Sequence, residues 1–142
     1  MAITTSIQTS FKKEIYEALH DFNASGGNVM KLALFTSAAT LDANTTIFTT
    51  TDEISGTGYT SGGGTLTNID PANGGTKGFI DFVDLVFSTA TITTRGCQIY
   101  NSTNGGRSIQ VHDFGSDKSS SAADFTIVFP AADSTNAIQR LA

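Results

Sequence analysis

Few residues in this chain are equipped to do chemistry: His20, His112, the single cysteine Cys97, and the aspartates Asp81 and Asp84. A bound metal needs several ligands converging with defined geometry. Two histidines far apart in sequence and one cysteine are too few, so both histidines are read as surface or hydrogen-bonded groups and no metal is expected. Asp81 and Asp84 fall on a predicted strand at an odd spacing, which points them to opposite faces. They cannot flank one glycosidic bond as an acid/base pair. Cys97 has no histidine near it in sequence and reads as a buried free thiol, not a nucleophile. The last candidate is the stretch Glu53–Leu66, which contains Gly56, Gly58, Gly62, Gly63 and Gly64. Glycine loops cradle phosphate when a helix N-terminus follows them. Here Thr65-Leu66-Thr67 follows and reads as a strand. The G-x-S-x-G and G-x-x-x-x-G-K-[ST] patterns are absent. Neither catalysis nor a cofactor is expected.

Composition bounds what can position these groups. The chain has 142 residues, of which 39% are hydrophobic and 15% charged. That suits one domain with a real core, and its charged fraction lies below the usual quarter. Threonine favours strands, and Gly, Asn and Asp favour turns, so the balance leans to all-β. Ten Phe and no Trp point to a core of Phe and aliphatic residues. Net charge is −5 and the basic residues are scattered, with only Lys12-Lys13 adjacent. A phosphate-tracking basic stripe is therefore not expected, and neither is direct nucleic-acid binding. One cysteine allows no internal disulfide. The opening MAITTSIQTS has no basic n-region or apolar centre and is not read as a secretion signal. No apolar run approaches the roughly 20 residues needed to span a bilayer, so no membrane partner is expected.

Residues 1–9 read as a polar arm carrying Ile3 and Ile7, ordered only against a partner. Residues 10–142 read as a single β-rich domain. Ser10 is a predicted N-cap, and Phe11, Ile15, Leu19 and Phe22 recur at helical spacing, giving an amphipathic helix of about three turns. Asn23–Gly27 ends it. Val29–Thr36 reads as a central strand, apolar on both faces. Residues 37–52 form a long polar connection, of a length that suggests contacts. Asp70-Pro71 and Asn73-Gly74-Gly75 are turn signals. Lys77–Ser88 reads as one strong strand, and Thr91–Tyr100 with Ser108–Phe114 as a hairpin around Asn101–Gly106. A loop at Gly115–Ala123 leads to a strand over Asp124–Phe129 that Pro130 ends. Ile138 and Leu141 are expected to anchor the tail. The predicted fold is an antiparallel β-sandwich or jelly roll with one short N-terminal helix.

Two runs carry a resemblance: Leu34-Phe-Thr-Ser-Ala-Ala-Thr-Leu-Asp-Ala-Asn-Thr-Thr46 and Thr51-Asp-Glu-Ile-Ser-Gly-Thr-Gly-Tyr-Thr-Ser-Gly-Gly-Gly64. With Phe79–Phe82, Arg95–Asn101, Asp124–Asp133 and Asn136–Ala142 they resemble a family of small virion structural proteins of tailed bacteriophages. The resemblance covers nearly all of the chain after residue 10. It implies a component of the phage particle and no catalytic residues. With the small size and the Thr/Gly-rich strands, it leads to the expectation of a capsid decoration (cement) protein. Such a protein would sit on the outer head surface, bind the major capsid protein and other virion proteins, and form a homo-oligomer on the particle. It would be made in the host cytoplasm. The alternative is a tail or baseplate module that binds host glycan on Tyr59 and Tyr100; a polysaccharide or peptidoglycan hydrolase is a remote third. The expected contact residues are Ile3, Ile7, Thr57, Gly58, Tyr59, Gly62, Gly63 and Gly64, with an added strand as one way of pairing.

Overall fold

A computed structural model describes residues 2–142, which form two antiparallel sheets and one short helix. In chain order the elements are β1 (Ser6–Ile7), α1 (Thr9–Tyr16), β2 (Met30–Phe35), β3 (Gly64–Thr65), β4 (Asn68–Gly74), β5 (Lys77–Phe82), β6 (Leu85–Asn101), β7 (Arg107–Ile127) and β8 (Gln139–Leu141). The larger sheet runs β1-β7-β6-β2-β3 and the smaller β4-β5-β8. The chain is thus the all-β, sandwich-like domain with a short helix that the pattern predicts.

β2 is the centre, and its composition explains why. It pairs with β6 on one side and β3 on the other, and successive side chains alternate between the faces of the sheet. Met30, Leu32 and Leu34 enter the main core, with Phe11, Phe82, Phe87, Ile99 and Phe129. Ala33 and Phe35 enter a second cluster on the opposite face, with Ile3, Ala39, Leu41, Tyr100 and Val111. Phe48 closes that cluster by stacking on Tyr100, with ring centroids 4.4 Å apart. The long connection after β2 therefore has a packing role: it lays Ala39, Leu41 and Phe48 over the second face.

The N-terminal stretch differs from expectation in the same way. Ile3 is buried against that cluster and forms a parallel bridge to Leu41, while Ser6 and Ile7 pair with Val111 and Gln110. Residues 2–9 are tied to their own domain, not held in reserve for a partner. Met1 lies outside the described residues.

The helix is shorter than its periodicity predicts. It begins after Gln8, which makes no side-chain cap, and ends at Tyr16. Ala18 then takes a left-handed φ of 56°, which no helix continues. The apolar spacing persists through Leu19 and Phe22, but a coil carries those residues: Phe22 still reaches the core.

β6 and β7 form a hairpin of 17 and 21 residues. It is longer than predicted because the expected loop at Gly115–Ala123 is part of β7, accommodated as bulges. The register shifts between Thr94↔Lys118 and Gly96↔Asp113, and again between Ala90↔Ala123 and Ile92↔Ser120. Gly115 and Ala122 supply the positive φ values, 79° and 46°, at these points, as bulges commonly require. Arg95 clips the first bulge, its Nε 3.0 Å from Asp113 and its Nη1 3.7 Å from Asp117. The outer surface of the hairpin is Thr/Ser-rich, with Thr93 and Ser119 hydroxyls hydrogen-bonded across it at 2.8 Å.

The predicted strand Lys77–Ser88 is broken at Val83–Asp84, where the chain leaves the small sheet for the large one. The two aspartates hold that crossing. Asp81 is buried, which raises its carboxyl above the usual range. Its oxygens accept from the N–H of Phe82 and Ile138, and Asp84 accepts from Phe129 N–H at 2.8 Å. Asn68–Gly74, read as turns, is a bulged strand whose register shifts between Ile69 and Ala72. At the tail Ile138 packs on the core as expected, while Leu141 is 53% exposed.

Candidate functional site

The glycine stretch folds around one carboxylate. Glu53 Oε1 accepts from the Tyr59 hydroxyl at 2.7 Å and from Gly62 N–H at 2.6 Å, and Oε2 accepts from the Ser61 hydroxyl at 2.7 Å. The Tyr59 hydroxyl in turn accepts from Leu34 N–H at 2.9 Å, and its ring lies 5.4 Å from that of Phe87. Tyr100 donates its hydroxyl to the Gly62 carbonyl. Burial pushes the Tyr100 phenol up to about 12 and the Tyr59 phenol well above its ordinary value. These tyrosines bolt the loop to β2 and β6. Tyr100, buried and stacked on Phe48, offers no free face on which a sugar could stack, and Tyr59 is half-buried against Phe87.

The glycines are placed by close approach. A Cβ on Gly63 would fall 1.9 Å from the Leu32 carbonyl oxygen, one on Gly58 2.8 Å from Ala90 Cα, and one on Gly64 2.9 Å from the Leu85 side chain. The structure thus brings Tyr59, Gly62, Gly63 and Gly64 together beside β2. Thr57 is exposed and bridges Thr91. Ile3 lies in the second cluster and Ile7 packs on the main core. Ile3 and Ile7 are thus spent on the domain's own packing, while Thr57 and Gly58 stay exposed and the close approaches of Gly58, Gly63 and Gly64 are made within the domain.

A second polar group lies where α1 meets the hairpin tip. Glu14 is 5% exposed. Its Oε2 is 2.7 Å from His20 Nε2 and its Oε1 3.0 Å from Arg107 Nη1. His20 Nδ1 faces Asn101 Nδ2 at 3.0 Å. The amide can only donate, so Nδ1 accepts and Nε2 carries the proton that Glu14 receives. His20 is therefore internal, one of the hydrogen-bonded pair of readings and not the surface one. Asn101 and Asn104 also bind the Leu19 carbonyl and Asn28. Above them a cleft of about 670 Å³ opens between Ser10, Thr46, Ile47, Thr103 and Arg107. The cluster has an acid, a base and an amide, but among the described residues no nucleophile is hydrogen-bonded to the histidine. It fixes the tip of the hairpin to the helix.

The third feature is apolar. Phe114, Phe125, Ile127 and Val128, with Thr126 and Lys118, line an open cleft of about 310 Å³ along the outer side of β7. Behind it a cavity of about 180 Å³ shares Phe114, Ile127 and Val128 and is floored by Cys97 and His112. Burial pushes the Cys97 thiol up to about 12, which leaves it protonated and unreactive. His112 sits directly opposite Cys97 in the ladder, and its Nε2 is buried without a hydrogen-bond partner. Among the described residues, no three His, Cys, Asp or Glu side chains converge to hold a metal ion.

No protein-family model, curated protein or solved structure matches this chain. Its reading rests on its own residues.

His112 yields a pH prediction. Burial lowers its pKa below the ordinary 6.5, so the folded state favours the neutral ring. The corresponding stability is present above 6.5 and is lost as pH falls towards the depressed folded value. Denaturant midpoints between pH 7.5 and pH 5 should therefore fall less steeply in His112→Gln than in the parent. Equal slopes in the two proteins would show that His112 is not the group responsible.

Sequence reasoning missed the Glu14–His20–Arg107 group and the strip at Phe114–Val128. For the first, Glu14 falls among the polar positions of the helical pattern with Lys12, Lys13 and Glu17, and nothing in the sequence pairs it with a residue as distant as Arg107. For the second, the alternation of Phe125, Ile127 and Phe129 with Thr126 and Val128 was visible, but whether a later element would cover either face was not.

Proposed function

We propose that this chain is a structural component of a tailed-bacteriophage virion, a decoration protein seated in several copies on the outer head and contacting the major capsid protein. One observation carries the reading beyond the resemblance. The polar clusters around Glu53 and Glu14 are consumed in holding loops, whereas beside β7 Phe114, Phe125 and Ile127 are only half-buried against the core and Val128 is 73% exposed. Exposed apolar patches on a folded domain mark protein–protein contacts. No enzymatic step belongs to this reading. An acidic chain of net charge −5 is also kept from adhering to packaged nucleic acid.

Cryo-imaging of purified particles is the test. Density for this domain at repeated positions on the head is the expected result. Density on the tail or baseplate alone would replace it with the host-glycan reading. That reading would have to use the cleft beside Arg107, since Tyr100 is buried and the hydroxyls of both Tyr59 and Tyr100 are engaged within the domain.

A further inference from the structure

The geometry points to the cleft beside Arg107 as a binding site for a neutral sugar residue. The inference goes beyond the virion reading and does not depend on it, because it assigns a ligand class to a site wherever the domain sits.

Two pieces of backbone that the fold holds fixed form the cleft. On one side Thr46 and Ile47 are tied to the start of β7. The antiparallel bridge between Ile47 and Arg107 does this, together with Ser108 N–H, which donates to the Thr46 carbonyl at 3.0 Å. On the other side the turn at 103–105 is tied to the coil after α1 through Asn104, whose amide donates to the Leu19 carbonyl. The space between them measures about 670 Å³, within the range of small-molecule sites. A recess with both walls anchored needs little ordering when it is filled.

The lining has hydrogen-bonding capacity to spare. Arg107 offers one guanidinium nitrogen to Glu14, and its side chain is still 44% exposed. A guanidinium carries five N–H donors in a planar fork, so most of them are left for an occupant. Glu14, buried and bonded through its other oxygen to His20, holds that fork in place. Thr103 Oγ1 accepts from Val29 N–H at 2.8 Å and keeps its own proton to donate. Thr46 is exposed on the facing wall. Ser10, also in the lining, has a buried Oγ with no hydrogen-bond partner, a group that folded domains ordinarily satisfy.

Charge and shape select the ligand. Among the lining residues, charge is confined to Glu14 and Arg107, which already neutralise each other. His20 behind them is neutral, since one ring nitrogen accepts from Asn101 and the other donates to Glu14. A phosphate would find no second cation here, and a metal ion no free carboxylate. Either would give up its water without a balancing charge. A neutral ligand bearing several hydroxyls avoids that cost. The rest of the wall is aliphatic: Leu19 and Ile47, the latter 50% exposed. A pyranose ring combines an apolar C–H face for such a wall with hydroxyls at its edge for Arg107, Thr46 and Thr103.

The test titrates the full-length chain with glucose, galactose and N-acetylglucosamine, and in parallel with glucuronate and inorganic phosphate. Heteronuclear NMR follows the backbone signals and the Arg107 Nε–H. At least one neutral sugar should move the signals of Thr46, Thr103 and Arg107 saturably and leave those of the Glu53 loop in place. Glucuronate, which differs from glucose by a carboxylate, should bind no more tightly than glucose. Thr46→Val removes a hydroxyl at an exposed position, and Arg107→Lys keeps the charge but removes the fork. Each should weaken binding roughly tenfold while the melting temperature stays close to the parent's. No saturable shift from any of the three neutral sugars would overturn the inference. So would tighter binding of glucuronate or phosphate than of every neutral sugar, or unchanged affinity in both variants. None of these outcomes bears on the virion reading, which particle imaging decides.

Discussion

Gly63→Val is expected to destabilise the isolated domain strongly and not simply to weaken a surface. Gly63 has φ +79°, and its Cβ would lie 1.9 Å from the Leu32 carbonyl oxygen and 2.7 Å from Ala33 Cα. The left-handed conformation alone costs a side chain roughly 1–2 kcal/mol, more when it is β-branched. The clash is with the backbone of the central strand, which cannot rotate away. A loss of about 3 kcal/mol or more follows, at or above the top of the range usual for single substitutions. In a domain of this size that is a fall of about 10 °C in melting temperature. Gly75→Ala is the control: it also has a positive φ, 58°, but nothing lies within 4 Å of its Cβ. It should cost only about 1–2 kcal/mol. Should Gly63→Val melt with the parent, the close packing of the glycine stretch on β2 would be refuted, and a contact role for the loop would become tenable again.

The second large effect is expected at Glu14. Glu14→Ala removes the carboxylate from a group in which the His20 side chain is 0% exposed and that of Arg107 is 44% exposed. This leaves the buried Nε2–H of His20 without its acceptor, which costs about 1–3 kcal/mol. The solvent around Arg107 screens the ion pair lost with it, so that half adds at most about 1 kcal/mol. Arg107→Ala should cost no more than about 1 kcal/mol, because Glu14 keeps its bond to His20. Chemical denaturation of the two variants measures the contrast. Equal losses would mean that Arg107, not His20, is the partner that matters, and the hydrogen-bonded order from Glu14 through His20 to Asn101 would have to be redrawn.

The parts of the fold that were legible are those in which one residue's neighbours decide its state. β2 shows alternating apolar residues on both faces and is central; Asn101–Gly106 is rich in turn formers and closes the hairpin. What escaped depended on distant partners. The helical spacing of Phe11, Ile15, Leu19 and Phe22 fits a long helix, yet Ala18 turns the chain so that His20 can meet Asn101, 81 positions away. Ile3 looked free because the residue that covers it, Leu41, sits in a segment with no strand pattern. Gly115 and Ala122 carry turn-like chemistry, and only the pairing of Lys118 with Thr94 and of Ser120 with Ile92 shows that they interrupt a strand without ending it. The glycine stretch was rightly singled out, but a glycine admitted by a turn and one admitted by a partner look the same in sequence. The distance to Leu32 separates them.

The threonines and serines on the outside of the hairpin have a further consequence for the thermodynamics of assembly. Fixing a lysine, arginine, glutamine or glutamate side chain against a neighbour costs up to about 2 kcal/mol in lost rotamers. Thr91 and Thr93 are branched at Cβ and already stiff at χ1, and Thr93 is held further by its bond to Ser119. This face has already given up most of its side-chain freedom on folding. Any neighbour laid against it would gain contact at little additional loss of disorder, so modest attractions would suffice to hold it there.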